Sequence, residues 1–289
     1  MNKNLKTNPM KTIAVLTDLS KSAEHATHFA LHMARKMKAG VLLFHDCPVP
    51  AARQLAYAGE QEPEADEHLL IDHARRMSHD LAKRSFTGSY LPEIRTYGKS
   101  TEIVDIMTEI MHNEEICLIV TAPVNGMDPA TYLTGDICNR IIDWATVPVL
   151  VVPDTAPLRN FEKIAFASQL HEEDINAIEE LGSLLESFAA ELMVAHLNRN
   201  PSDQHIRGAE EELNRELYRK LNCGGVYFRS IPDVISQKNW EWLKANKHTD
   251  LLAVMQQSRE QMAALFKRGQ NREVTYHLNL PVMILPKRP

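Results

Sequence analysis

Pro148-Val149-Leu150-Val151-Val152-Pro153 and Pro281-Val282-Met283-Ile284-Leu285-Pro286 are one pattern written twice, an apolar run between prolines near the close of each half of the chain. Such short, β-rich apolar runs read as buried strands. Each half also opens on one, Ile13-Ala14-Val15-Leu16 and Ile164-Ala165-Phe166-Ala167. Ile164, Leu170, Ala177 and His196 repeat Ile13, Leu19, Ala26 and His45 at a constant shift, 164 − 13 = 151. A period that long is a duplicated domain and not a solenoid repeat.

Between opening and closing strands, apolar runs alternate with helical stripes. Ala23, Ala26, Ala30, Met33, Ala34 and Met37 recur at helical spacing after the first strand; Ile178, Leu181, Leu185 and Phe188 do so in the second half. Further strands are expected at 41–45, 93–97 and 116–121, then at 226–231 and 251–255. Strand–helix alternation implies parallel βαβ crossovers with helices on both faces. The expectation is an α/β chain of two tandem, doubly wound, five-stranded parallel-sheet domains. Residues 1–10 read as a flexible tail, 11–153 as domain 1, 154–160 as a linker marked by Pro153 and Pro157, and 161–289 as domain 2.

Composition narrows the class. Of the 289 residues, 44% are hydrophobic and 24% charged, and the net charge is −6. That balance argues against a broad nucleic-acid or anionic-membrane surface. No apolar run is long enough for a bilayer span, and the polar start lacks a secretory h-region. Cys47, Cys117, Cys138 and Cys223 lack paired spacing, so free thiols in a reducing cytoplasm are expected.

The order of these features resembles a tandem universal stress protein. The carrying residues are the opening strand with Thr17-Asp18-Leu19-Ser20, the strand ending at His45, the long loop before Gly135-Asp136, and the helix leading into Pro148-Val149-Leu150-Val151-Val152. The resemblance covers about 11–153 and 161–286. It implies a fold like that of adenine nucleotide alpha hydrolases, and in some members ATP held by a Gly-x2-Gly-x9-Gly-(Ser/Thr) loop. Glycines there admit backbone N–H groups to phosphate, and the hydroxyl donates at a helix start.

Both halves depart from that loop. In the first, Asp18 is kept, but Ala122 and Asn125 stand at the glycine positions, with Gly126 one residue out of register; Gly135 is followed by Asp136. An ionised carboxylate caps a helix well, yet it cannot donate to phosphate and repels it by about several kcal/mol at close range. In the second, Gln169 replaces Asp18, Gln256 and Arg259 replace glycines, and Gly269 is followed by Gln270. No cofactor is therefore expected, with ATP the one to test. The crevices beyond the strand carboxyl ends remain the place to look.

His25, His28 and His32 share one helix face and are candidate metal ligands, although solvated surface histidines are the commoner outcome. The acidic runs Glu172-Glu173-Asp174 and Glu210-Glu211-Glu212 read as a solvated helix face or N-terminal turn, and Trp240 and Trp242 as packing or interface residues. His196 and His45 read as structural strand-end residues. No Ser-His-Asp order, zinc signature or Walker loop is present.

Two functions are carried forward. One is a cytoplasmic stress-response regulatory or binding protein without an assembled catalytic site, its halves pairing through Val149–Val152 and Val282–Leu285. The other is an adenine-nucleotide-binding module centred on the first half, with weak hydrolysis. Homodimer assembly is left open. A duplicated electron- or adenylate-transfer enzyme ranks last because the phosphate loops it needs are missing.

Overall fold

The computed structural model describes residues 11–45, 64–83, 90–97, 103–123, 136–198, 202–220, 225–232, 249–256 and 280–287. The strands are β1 (Thr12–Thr17), β2 (Gly40–His45), β3 (Ile94–Tyr97), β4 (Ile116–Thr121), β5 (Val149–Val151), β6 (Lys163–Ser168), β7 (Glu191–Asn198), β8 (Val226–Pro232), β9 (Leu251–Met255) and β10 (Val282–Leu285). The helices are α1 (Lys21–Met37), α2 (Glu64–Lys83), α3 (Ile103–Asn113), α4 (Asp136–Trp144), α5 (Glu173–Leu185) and α6 (Gln204–Lys220). The helices expected at 234–246 and before the last strand, and Trp240 and Trp242, lie outside the described residues.

All ten strands form a single sheet, in the order β3-β2-β1-β4-β5-β10-β9-β6-β7-β8. Within the first five strands every pairing is parallel, and so is every pairing within the last five. The seam between them is antiparallel, with Val151, Leu150 and Val149 opposite Val282, Met283 and Ile284. The reason is physical. An apolar edge strand left unpaired exposes a row of backbone donors and acceptors, and these two edges satisfy each other. Strand carboxyl ends of the two groups therefore point to opposite ends of the sheet.

Burial follows the pleat. Ile13 and Val15 enter the hydrophobic cluster on one face, Ala14 and Leu16 that on the other, as period-two alternation requires. The first face is continuous across both groups of strands. It takes Ala26, Phe29, Ala30 and Met33 from α1, Leu70 and Met77 from α2, Ile178 and Leu181 from α5, and Leu213 and Leu217 from α6. The second takes Ile103, Ile106, Met107 and Ile110 from α3 and Ile141 from α4.

Four non-glycine residues among those described have left-handed backbone: Leu19 (φ 62°), Lys38 (54°), Leu170 (62°) and Ala189 (52°). They fall into two pairs, Leu19 with Leu170 and Lys38 with Ala189, each 151 residues apart. Both members of the first pair follow an opening strand, and both members of the second end the helical segment that comes next. L-residues enter this region at a cost of about 1–2 kcal/mol.

The segment from Pro153 to Glu162 is packed down and not a loose tether. Phe161 stacks between Phe29 of α1, at 5.7 Å, and Phe188, which ends the short 3-10 turn Glu186–Phe188, at 5.1 Å. Asp250, 6% exposed, accepts from the N–H groups of Glu162 (2.8 Å) and Lys163 (3.0 Å) and pairs with Arg159 at 2.5 Å.

Candidate functional site

Each group of five strands has one point where the order reverses, between β1 and β4 and between β6 and β9. Ligands of open parallel sheets bind beyond the strand carboxyl ends at such points. The first therefore lies at Thr17–Ser20 and Ala122, the second at Ser168–Asp174 and Gln256.

At the first, the strand ends in a tight turn built from side-chain acceptors. The Leu19 N–H donates to Thr17 Oγ1 at 3.0 Å, and the Ser20 N–H to Asp18 Oδ1 at 2.9 Å. Ser20 then caps α1, its Oγ accepting from the Ala23 N–H at 3.2 Å. That satisfies one of the free amides at the helix start. Asp18 is exposed beside this turn, and Ala122 is buried just past β4. Asp136 is the first residue of α4. Asn125, Gly126, Gly135 and the Asp136 side chain lie outside the described residues.

At the second, the same turn recurs with different side chains. The Leu170 N–H donates to Ser168 Oγ at 3.0 Å. Ser168 Oγ in turn donates to Asp174 Oδ2 at 2.6 Å, and the Gln169 N–H reaches the same oxygen at 3.1 Å. Asp174 is 1% exposed. Burial pushes its carboxyl above the ordinary aspartate range, opposed by the hydrogen bonds from Ser168 and the backbone. Glu173 and Asp174 form the first turn of α5, the N-terminal turn expected of this run, and the carboxylate of Asp174 turns inward to the strand end. Helix α5 has no side-chain N-cap at Glu172 and begins on Glu173 and Asp174 instead.

Gln169 and Gln256 are brought together. With His171, Glu172, Asp174 and Lys287 they line a cavity of about 260 Å³. Gln256 is tied to the end of β10, its N–H donating to Leu285 O at 2.8 Å and its Oε1 accepting from the Lys287 N–H at 3.4 Å. Arg259, Gly269 and Gln270 lie outside the described residues.

Beside this cavity, His196 ends the row opposite Ser168. Its Nδ1 donates to the Ser168 carbonyl at 3.2 Å, while Nε2 lies 4.0 Å from Glu210 Oε1. Glu210 also accepts from Ser230 Oγ at 2.7 Å. Glu210 is therefore part of a polar row over the strand ends and not solvated surface, a correction to the solvated-face reading of its run.

The histidine face of α1 is corrected too. His25 Nε2 donates to the Ala156 carbonyl at 2.9 Å and His32 Nε2 to Asn160 Oδ1 at 3.0 Å. Two of the three candidate ligands thus hold the 153–162 segment. No group of three or more His, Cys, Asp or Glu side chains is placed to hold a metal among the described residues. Cys117 is half-buried and free, and burial raises its thiol to about 11, so it is not a thiolate nucleophile.

The residues missed from sequence are Thr17, Ser168 and Asp174. A signal existed for the first two: a shift of 151 carries one strand-end hydroxyl onto the other.

A family model, the universal stress protein family, matches residues 9–153, just over half of the chain. The chain belongs to the universal stress protein family. Two solved structures agree on the fold. A universal stress protein from Archaeoglobus fulgidus aligns with 96% of this chain and 96% of its own at 12% identity and a TM-score of 0.62. A functionally unknown protein from Pseudomonas aeruginosa aligns with 96% of this chain and 92% of its own at 13% identity and a TM-score of 0.54. A universal stress protein solved in complex with cAMP is 20% identical and covers 51% of this chain and 99% of its own, at a TM-score of 0.34. No curated protein matches the chain. No helix among the described residues of this universal stress protein is long and apolar enough to cross a membrane.

Proposed function

We propose that this chain is a tandem universal stress protein, a cytoplasmic pseudo-dimer in one chain that acts by binding and regulation, without catalysis, its ATP motif degenerate in both halves. The observation that carries this is the pairing of left-handed residues 151 apart, Leu19 with Leu170 and Lys38 with Ala189. Strained backbone persists only where the surrounding fold holds it, so its recurrence at the sequence repeat supports two copies of one framework. The side chains that would meet a ligand did not recur with it. Asp18 is matched by Gln169, Ser20 by His171 and Ala23 by the buried Asp174. The cavity of about 260 Å³ at the second strand end is also below the roughly 300–1,000 Å³ of usual small-molecule sites.

A second reading is favoured by one observation: Asp18 is exposed at the first strand end, where an adenosine group could reach it. The two are separated by extracting the purified full chain and analysing the supernatant by mass spectrometry. The regulatory reading predicts no adenine nucleotide; stoichiometric nucleotide would replace it with the binding module. Asp136→Ser tests the reason. It restores the hydroxyl of the family loop and removes a charge, so ATP affinity is expected to rise by about tenfold or more. An unchanged affinity would show that the carboxylate is not the obstacle.

A further inference from the structure

We propose that Asp174 is a built-in anion that closes the second strand-end crevice to phosphate-bearing ligands. This rests on the tandem reading above, because it compares the two strand ends position by position. The amide and hydroxyl donors at a parallel-strand end next to a helix start are what a bound anion would use. At the second strand end they are already committed. The Ser168 hydroxyl donates to Asp174 Oδ2 at 2.6 Å and the Gln169 N–H donates to the same atom at 3.1 Å. The carboxylate that accepts both belongs to the protein, and its residue is 1% exposed.

The first strand end has the same turn without a buried carboxylate: Asp18, which accepts the Ser20 N–H there, is exposed. Thr17 accepts from the Leu19 N–H at 3.0 Å just as Ser168 does from the Leu170 N–H at 3.0 Å. The residue 151 positions before Asp174 is Ala23, which has no carboxylate to turn back. Asp174 is thus a buried difference between the two crevices, placed on a shared backbone turn.

Its neighbours do not substitute for it. Glu172 and Glu173 are exposed, and water and salt screen their charge. Asp174 is buried, where screening is weak, and the donors it fills are unavailable whatever the ionic strength. The crevice therefore has donors that a phosphate would use, and one internal carboxylate in the place the phosphate would take.

The test is an NMR titration of the full chain with inorganic pyrophosphate, following the Gln169 and Leu170 amides in wild type and in Asp174→Ala. The wild type is expected to show no saturable shift at these amides. The variant should show saturable shifts in the millimolar range, at least about tenfold tighter than any wild-type response. Equal responses, whether both bind or neither does, would overturn the proposal. Asp174→Asn, which keeps the size and removes the charge, replaces the alanine variant if that one fails to fold, and the same contrast is expected. The Leu19 and Ser20 amides report separately. ATP shifts there in the wild type would sink the regulatory reading of the first half while leaving the role of Asp174 to stand or fall on Gln169 and Leu170.

Discussion

His73 shows what a single buried polar residue imposes on this fold. It is 2% exposed on the inner side of α2, and its Nε2 has no hydrogen-bond partner. Burial foremost, then the nearby Arg76 and His28, holds its imidazole below the ordinary range, with Glu24 pulling the other way. The unfolded chain takes up this proton near 6.5 and the folded chain only at lower pH. Stability is therefore lost as pH falls from 6.5 through the folded value. His73→Leu removes both the orphaned nitrogen and the titration. It is expected to raise stability at neutral pH by about 1 kcal/mol and to lessen the acid loss, read from urea midpoints at about pH 8 and about pH 5.5. An unchanged pH dependence would assign the acid loss elsewhere. Residues of this kind mark how far the sequence could be read. Asp18, Gln169 and Gln256 could be placed at the crevices because they follow recognisable strands. Asp174 could not, because its run Glu172-Glu173-Asp174 has the composition of a solvated surface, and which carboxylate turns inward is decided by how α5 sits over β6.

At the scale of elements, the strands were the most readable parts. β4, β9 and β10 span the residues expected, since an all-apolar run bounded by polar or proline residues leaves little choice of end. Helix starts are less sharply written: the sequence pattern suggests starts near 67 and 207, and α2 and α6 begin three residues earlier, at Glu64 and Gln204, because caps and first turns are shared between helix and loop. The segment joining the two groups of strands was unreadable in a different way. Its prolines mark a linker, but its packing depends on partners far away in sequence, His25, His32, Phe29 and Asp250. Asp250 is its anchor. Asp250→Ala leaves the Glu162 and Lys163 amides and the Arg159 guanidinium without their acceptor and should cost about 3 kcal/mol. Arg159→Ala, with Arg159 half-exposed and Asp250 still accepting two amides, should cost about 1 kcal/mol or less. Chemical denaturation of the two variants checks the order, and equal costs would mean that the ion pair, and not the amide bonds, anchors the segment.

At the scale of the molecule, the repetition of the strand pattern was readable in the sequence, and all ten strands join into one sheet at the seam. The antiparallel β5–β10 contact, the shared hydrophobic face and the Phe29–Phe161–Phe188 stack all cross between the two groups. Elements that share a core unfold together. Calorimetry is therefore expected to show one thermal transition, and Phe161→Ala, which opens a gap in the stack, should lower it at a cost of about 3–5 kcal/mol. Two resolved transitions in the unaltered protein would show that the seam does not couple the halves. The central proposal is that this universal stress protein keeps the framework twice and has given up the nucleotide chemistry in both copies. Titration calorimetry of the full chain with magnesium-ATP tests it most directly: the account predicts no saturable heat, and micromolar binding at either strand end would contradict it.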